Sequence, residues 1–370
     1  MDEVTRAGEV AVAVAGVGLA DGERDGSIEV PAEAWLGALD LVSHQRLTGL
    51  AVAAVAAGRL RLTDPQHEEL LGRHREAMVL ALALERRLLA LESAFREQGL
   101  DVLVLKGPAS AHSFYPDPSW RAFGDLDLLV RTRDWAAACA LLEGRGYRRK
   151  YPDPRPGFVE RFGHTALHVD PEGLELDLHR TLIAGPVGQW VDEDELFEGA
   201  ATFRVGDRPL RRLGDTMSLL HACVHASLGA RPPLLVPLRD VIQVSSLAAV
   251  DWDHLARRAE RWNLRAVLRF AFASSHVLGG EAPPEAAALL DAPDRRVDRR
   301  ALAAYTSHRS RGGKALGTLR AVHGIRGKAA YLRALLFPSR RFLEARAGGG
   351  RPSFLRRWTT PVRWLARRGG

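Results

Sequence analysis

Apolar residues recur every three or four positions across residues 68–98: Leu80, Leu84, Leu88, Leu91 and Phe95 share one helical face, and Gly99 stops the run. The chain reads helical from Pro31, so residues 30–98 form a helical segment. Residues 1–28 read as weakly ordered, with glycine and acids clustered at 21–26; together these stretches make an N-terminal unit, 1–98. At Val102 the period changes. Residues 102–105 are a short apolar strand, and Pro108 opens a helix. A second strand alternates through Leu126 and Leu128 to Val130. Thr132 or Asp134 can cap a helix ending at Gly144, and Gly146 leads into another strand. Thr165–Val169 and 174–179 flank Asp170-Pro171-Glu172-Gly173, whose turn residues predict a β-hairpin. From Asp215 the pattern is helical again, with Asp215-Thr216 as a cap and later helices over 238–249, 252–262 and 264–278. The expected fold is α+β: a small mixed sheet in residues 99–213, helical segments before it and over 214–338, and a tail, 339–370.

Asp125 and Asp127 follow Gly124 and alternate with leucines, so both carboxylates leave the same strand face. Adjacent carboxylates repel, and a cation between them removes the repulsion. Hard divalent cations take oxygen ligands, and Mg²⁺ typically combines carboxylates with substrate phosphates. The hairpin adds further candidates: Glu175, Asp177 and His179 share one face, and Leu174, Leu176 and Leu178 take the other. A carboxylate there would complete a two-metal site, suited to in-line phosphoryl displacement. The competing reading is strand-end caps and solvated surface charges.

Only Lys106, Lys150, Lys314 and Lys328 are lysine in a chain otherwise rich in arginine. Lys106 closes the first strand beside Gly107, where a compact ammonium suits a phosphate and glycine permits close backbone approach. The helix opened by Pro108 would add amide donors for an anion. A surface lysine closing a strand is the alternative. No P-loop motif is present. His221 and His225 stack one turn apart on the helix after Asp215. A structural zinc there is disfavoured, because it needs four ligands and no other Cys/His cluster is nearby in sequence. Asp240 and Asp251 read as caps or surface charges.

Leu105-Lys106-Gly107, Tyr115-Pro116-Asp117-Pro118, Arg121 and the run from Gly124 to Val130 together resemble the signature of the uncharacterised bacterial nucleotidyltransferase family, within the polymerase-β-like nucleotidyltransferase superfamily. Leu176-Asp177-Leu178-His179 resembles its later strand motif. The resemblance implies a nucleotidyltransferase core with Asp125, Asp127 and Asp177 as catalytic metal ligands, and Glu175 as the alternative third acid. Lys106-Gly107 stands where the wider superfamily has a Gly-Ser pair, and the gap from Gly107 to Asp125 is longer than usual there. The residues expected on the nucleotide side are Lys106, Gly107, Arg121, Gly124, His179, His221 and His225. An ordinary surface role for Arg121 is the alternative.

Composition narrows the setting. Cys139 and Cys223 cannot make a disulfide framework, and the start MDEVTR lacks the basic region of a signal peptide, so a cytoplasmic protein is expected. Apolar runs are too short to span a bilayer. Nine arginines against Glu344 give residues 339–370 a charge of +8, which leaves about −1 for the remainder of a chain with net charge +7. A long nucleic acid substrate is therefore disfavoured for the body. The tail interleaves its arginines with Phe354, Trp358 and Trp364, which suits an anionic surface or a helix packed on the body.

The leading reading is an enzyme using Mg²⁺ or Mn²⁺, two ions in the expected arrangement, to transfer a nucleotidyl group from a nucleoside triphosphate to a hydroxyl acceptor. That acceptor would be a small molecule, peptide or sugar. One alternative is a sugar transferase using a nucleotide sugar through Asp125-Leu126-Asp127 as a D-x-D motif. Another is a non-catalytic nucleotide-binding module.

Overall fold

The computed structural model describes residues 3–19, 27–229, 234–306 and 310–346. Two short strands, β1 (Ile28–Glu29) and β2 (Leu60–Arg61), pair in parallel within the N-terminal segment. The main sheet is built from β3 (Val102–Val104), β4 (Leu126–Val130), β5 (Arg148–Arg149), β6 (Thr165–Val169), β7 (Glu175–His179), β8 (Ala201–Val205) and β9 (Arg208–Arg212). Its order is β5-β6-β7-β4-β3-β9-β8, and it is mixed, because β4–β7 and β3–β9 are parallel and the other pairs antiparallel. The fold is α+β, as expected.

The predicted hairpin is present as β6–β7. Asp170 Oδ1 accepts from the amides of Glu172 and Leu174, both at 2.9 Å, and Gly173 takes φ +91 to complete the turn. The β8–β9 hairpin was not foreseen; it turns at Gly206-Asp207, with Gly206 at φ +56.

The two faces of the sheet serve different cores. Val104, Leu126, Leu128, Leu176 and Leu178 pack with Leu84, Leu88, Leu91 and Phe95 of the long helix Asp64–Glu97 and with helix Trp135–Gly144. Leu103, Leu105 and Leu129 belong to the other core, shared with the remaining N-terminal helices and with helices Asp215–Leu228, Leu235–Leu247 and Arg265–Ser275. Strand alternation places Asp127 with Leu129, and hence Asp177 and His179, on this second face. The carboxylates therefore lie where the two helical segments meet the sheet.

Several local expectations change. The long helix starts at Asp64, because Thr63 and Gln66 form a capping box with proline in the first turn. The start of the chain is a helix, Glu3–Gly16, with Val10, Ala11, Val14 and Ala15 buried against the second core. Residues 20–26, which hold the whole Gly/acid cluster, lie outside the described residues. Neither Thr132 nor Asp134 caps the helix at Trp135; Thr132 donates from its amide and its hydroxyl to Glu193 Oε2, at 2.8 Å each. Asp215 does not cap its helix either, and instead accepts from Arg212 at 2.7 Å and from the Ala249 amide at 3.0 Å. Asp251 does cap the helix Trp252–Arg261. Helix Arg340–Arg346 is described, but the rest of the basic tail lies outside the described residues. Among the described residues no helix is long and apolar enough to cross a membrane.

The loop between β3 and β4 is fixed from the N-terminal side. A Cβ on Gly49, in helix Thr48–Ala56, would stand 1.9 Å from the Ser119 carbonyl oxygen. Gly49→Ala is therefore expected to destabilise the protein by about 2–3 kcal/mol, read as a lower urea midpoint. An unchanged midpoint would show that helix and loop part freely.

Candidate metal and nucleotide site

Parallel pairing of β4 with β7 sets Asp127 directly opposite Asp177, with Leu129 opposite His179. The Leu105 amide donates to the Asp127 carbonyl at 3.0 Å, which holds Lys106 just past the end of β3 beside the acids. Gly107 follows at φ +59, a conformation that favours glycine, and turns the chain into helix Pro108–Phe114.

Asp127 is the centre of the arrangement, with 2% exposure. Its Oδ2 lies 2.5 Å from Lys106 Nζ and its Oδ1 lies 2.9 Å from His179 Nε2. Burial alone would push its carboxyl up, but the ammonium and the imidazole outweigh burial and hold it far below the usual carboxylate range. Burial likewise opposes the Lys106 charge, yet Asp127 and Asp125 push its ammonium above the ordinary lysine value. Asp177 is half-buried, and its Oδ1 accepts from Thr165 Oγ1 at 3.1 Å. Burial pushes this carboxyl up, with Asp127 adding to the effect and His179 opposing it.

Asp127, Asp177 and His179 each offer one ligand atom, and these atoms lie within 4.8 Å of one another. The donor set suits a divalent cation. The His179 ring also has Nδ1 3.3 Å from the Thr181 carbonyl, so both of its nitrogens face acceptors. A neutral imidazole can donate from only one of them. Moreover, neighbouring ligands about 2.1 Å from an octahedral ion stand about 3.0 Å apart, close to this nitrogen–oxygen separation. The two carboxylate oxygens suit Mg²⁺ or Mn²⁺, and the imidazole favours the latter.

The other expected residues divide. Asp125 is not in the trio: it pairs with Arg46 Nη1 at 3.3 Å and with Lys106 Nζ at 3.7 Å. Lys106 thus occupies the gap between the paired aspartates where a metal was expected. Glu175 is drawn into a surface ion pair with Lys150 and does not join the group. Arg121 is buried and committed: its Nε and Nη2 donate to the two Asp240 oxygens at 2.9 and 2.8 Å, and its Nη1 donates to the Ala122 carbonyl at 2.8 Å. Its donors are thus taken up within the protein, on Asp240 and the Ala122 carbonyl. Asp240, expected as a cap or surface charge, is buried and also accepts from the Tyr115 hydroxyl at 2.7 Å.

His221 and His225 stand with ring centres 6.3 Å apart beside the Lys106–Asp127 pair. Burial, reinforced by nearby positive charge, lowers them to about 4 and about 3, so they line this wall as neutral rings. His164, Thr165 and Arg46 were not singled out from sequence. The His164 ring meets His179 edge-on at 5.8 Å, and burial followed by His179 lowers it to about 3. Gly124 is not among the positive-φ glycines; a Cβ there would instead stand 3.1–3.4 Å from the Arg46 guanidinium. A cavity of about 780 Å³ lies elsewhere, between the first helix, helix Thr48–Ala56 and Trp120, and none of Asp125, Asp127, Glu175 and Asp177 lines it.

Residues 31–280 match the family described as "Uncharacterised nucleotidyltransferase". No curated protein matches the chain. Among solved structures, an antigenic nucleotidyltransferase-like protein from Paracoccidioides brasiliensis is similar at 14% identity over 58% of this chain and 96% of that one, with a TM-score of 0.30. That score is too low to carry weight, whereas the family match spans most of the 370 residues and contains every residue of the acid cluster. The chain belongs to the uncharacterised nucleotidyltransferase family.

Proposed function

We propose that this protein is a divalent-metal-dependent nucleotidyltransferase that passes a nucleotidyl group from a nucleoside triphosphate to a hydroxyl acceptor. The reading is carried by the register of β4 on β7, which brings Asp127 and Asp177 side by side with His179 on the covered face of the sheet. The acceptor oxygen would bond to the α-phosphorus as the bond to the bridging α–β oxygen breaks, releasing pyrophosphate.

Asp127, Asp177 and His179 would hold the cation. Bound there, a divalent ion supplies Lewis-acid stabilisation of phosphoryl oxygens and acidifies a hydroxyl. Asp177 accepts from Thr165 at Oδ1, which leaves Oδ2 for the cation, and the same carboxylate would take the acceptor's proton. Lys106 neutralises charge at the junction of the acids and the phosphates. The neutral rings of His164, His221 and His225 supply dry walls that strengthen these electrostatic contacts. The donor set supports one ion, and a second requires Asp125 to leave Lys106 and Arg46. The D-x-D sugar-transferase reading has no support of its own, because Asp125 stands outside the trio.

The test is equilibrium binding of ATP, GTP, CTP and UTP with Mg²⁺ or Mn²⁺, followed by pyrophosphate release in the presence of candidate acceptors. Ion-dependent binding of at least one triphosphate is expected. A protein indifferent to all of them, with or without either ion, is not a nucleotidyltransferase.

A further inference from the structure

The end of helix Ala32–His44 is built as glycine would build it, with an arginine in glycine's place. The Arg46 amide donates to the Ser43 carbonyl at 3.0 Å and the Leu47 amide to the Val42 carbonyl at 2.9 Å. This is the paired Schellman ending, and its left-handed position is ordinarily glycine. Arg46 holds that position at φ +58. Among the described residues Asn263 is the other non-glycine at positive φ, and asparagine tolerates that region. Backbone strain of this kind gathers at functional positions.

The side chain shows what the strain serves. It reaches across to the site, where Nη1 lies 3.3 Å from Asp125 Oδ1. Its Cζ, Nη1 and Nη2 all lie within 3.4 Å of where an alanine Cβ would stand on Gly124. An added Cβ would thus press on the guanidinium, and no positive φ calls for glycine here. Two independent departures, a strained arginine and an unstrained glycine, accommodate one guanidinium. That group stays open to solvent at 44% side-chain exposure, whereas Lys106 is 19% exposed and locked against Asp127.

We propose that Arg46 binds the phosphate chain of the nucleotide donor, and that Gly124 is bare in order to seat it; this rests on the nucleotidyl-transfer reading above. A guanidinium presents a planar fork of donors that matches phosphate oxygens two at a time. The Asp125 contact engages Nη1 and orients the fork. The triphosphate carries more negative charge than one lysine between two carboxylates can offset. Arg46 thus brings the N-terminal helical segment into the site as a specificity element for polyphosphate over monophosphate.

The experiment is equilibrium binding of the α,β-methylene analogues of ATP, GTP, CTP and UTP to the full chain with Mn²⁺, with the matching monophosphates as controls. Arg46→Gln is expected to weaken the triphosphate analogue at least tenfold, the loss of a charged contact, and the monophosphate less. Arg46→Lys recovers only part, because an ammonium lacks the fork. Arg46→Gly loses the same affinity with a Tm equal to or above that of the parent, because glycine suits the left-handed position. Gly124→Ala weakens the triphosphate analogue and leaves Mn²⁺ affinity intact, because Asp125 is outside the trio. Triphosphate affinity within twofold of the parent in Arg46→Gly overturns the assignment while leaving the transferase reading standing. A parent protein that binds none of the analogues with Mn²⁺ overturns both.

Discussion

Asp127→Asn is expected to lower metal-dependent turnover by at least about a thousandfold and to weaken Mn²⁺ binding at least about tenfold. The substitution keeps the shape of the side chain and removes the charge on which three neighbours depend: Lys106, His179 and any cation held with Asp177. It is also expected to cost stability. Breaking a buried ion pair from one side typically costs about 3–5 kcal/mol. Here Asp125, 3.7 Å from the same ammonium, still compensates in part, so about 2 kcal/mol is the better expectation. Stability and chemistry are separated by a second change. Lys106→Met added to Asp127→Asn removes the orphaned ammonium, so thermal stability should recover. Mn²⁺ affinity should not, because Lys106 is no ligand. Recovery of the affinity, or full turnover in Asp127→Asn alone, would take Asp127 out of the mechanism.

What could be read from the sequence was what is local. The β6–β7 hairpin is legible because period-two alternation and an Asx turn lie within fifteen residues, 165–179. Asp125, Asp127, Asp177 and Lys106 stand out because acids alternate with leucines, and because lysine is rare in this chain. Their grouping was expected from the family resemblance and not from periodicity. Asp127 meets Asp177 only because β4 and β7 pair in parallel, a relation no window of sequence contains. The same limit hides the partners of Asp125, which pairs with Arg46 and Lys106, and of Arg121, which pairs with Asp240. Partners 79 and 119 residues apart leave no periodic trace. Other misses had a weak signal. The β8–β9 hairpin turns Phe203, Val205 and Leu210 inward, but outward arginines and Pro209 disguise the alternation. The first helix buries valine and alanine, whose small side chains mark a core face faintly.

Arg121→Ala should be the most damaging substitution outside the acid cluster, with a loss of about 3–5 kcal/mol and a Tm lower by roughly 10 °C. Arg121 and Tyr115 lie on the loop between β3 and β4, while Asp240 lies on helix Leu235–Leu247, so this cluster ties the loop that carries Gly124 and Asp125 to the C-terminal helices. Removing the guanidinium strands a carboxylate that is 4% exposed and leaves it only the tyrosine hydroxyl. Replacing both partners, Arg121→Leu with Asp240→Leu, should cost less, because neither member of the pair is left without the other, although the Tyr115 hydroxyl loses its acceptor and Arg239 a nearby negative charge. The acid dependence follows. Burial pushes the Asp240 carboxyl up, but the Arg121 charge and its hydrogen bonds prevail and hold it below the usual carboxylate value. A lowered native value means that the contribution is complete above the unfolded value of about 4 and is lost as pH falls through the lower native one. The parent should therefore lose more stability than the double-leucine variant between about pH 5 and pH 2, as measured by urea unfolding. Equal losses in the two proteins over that window would show that the ion pair contributes nothing, and the loop would then owe its position to packing alone.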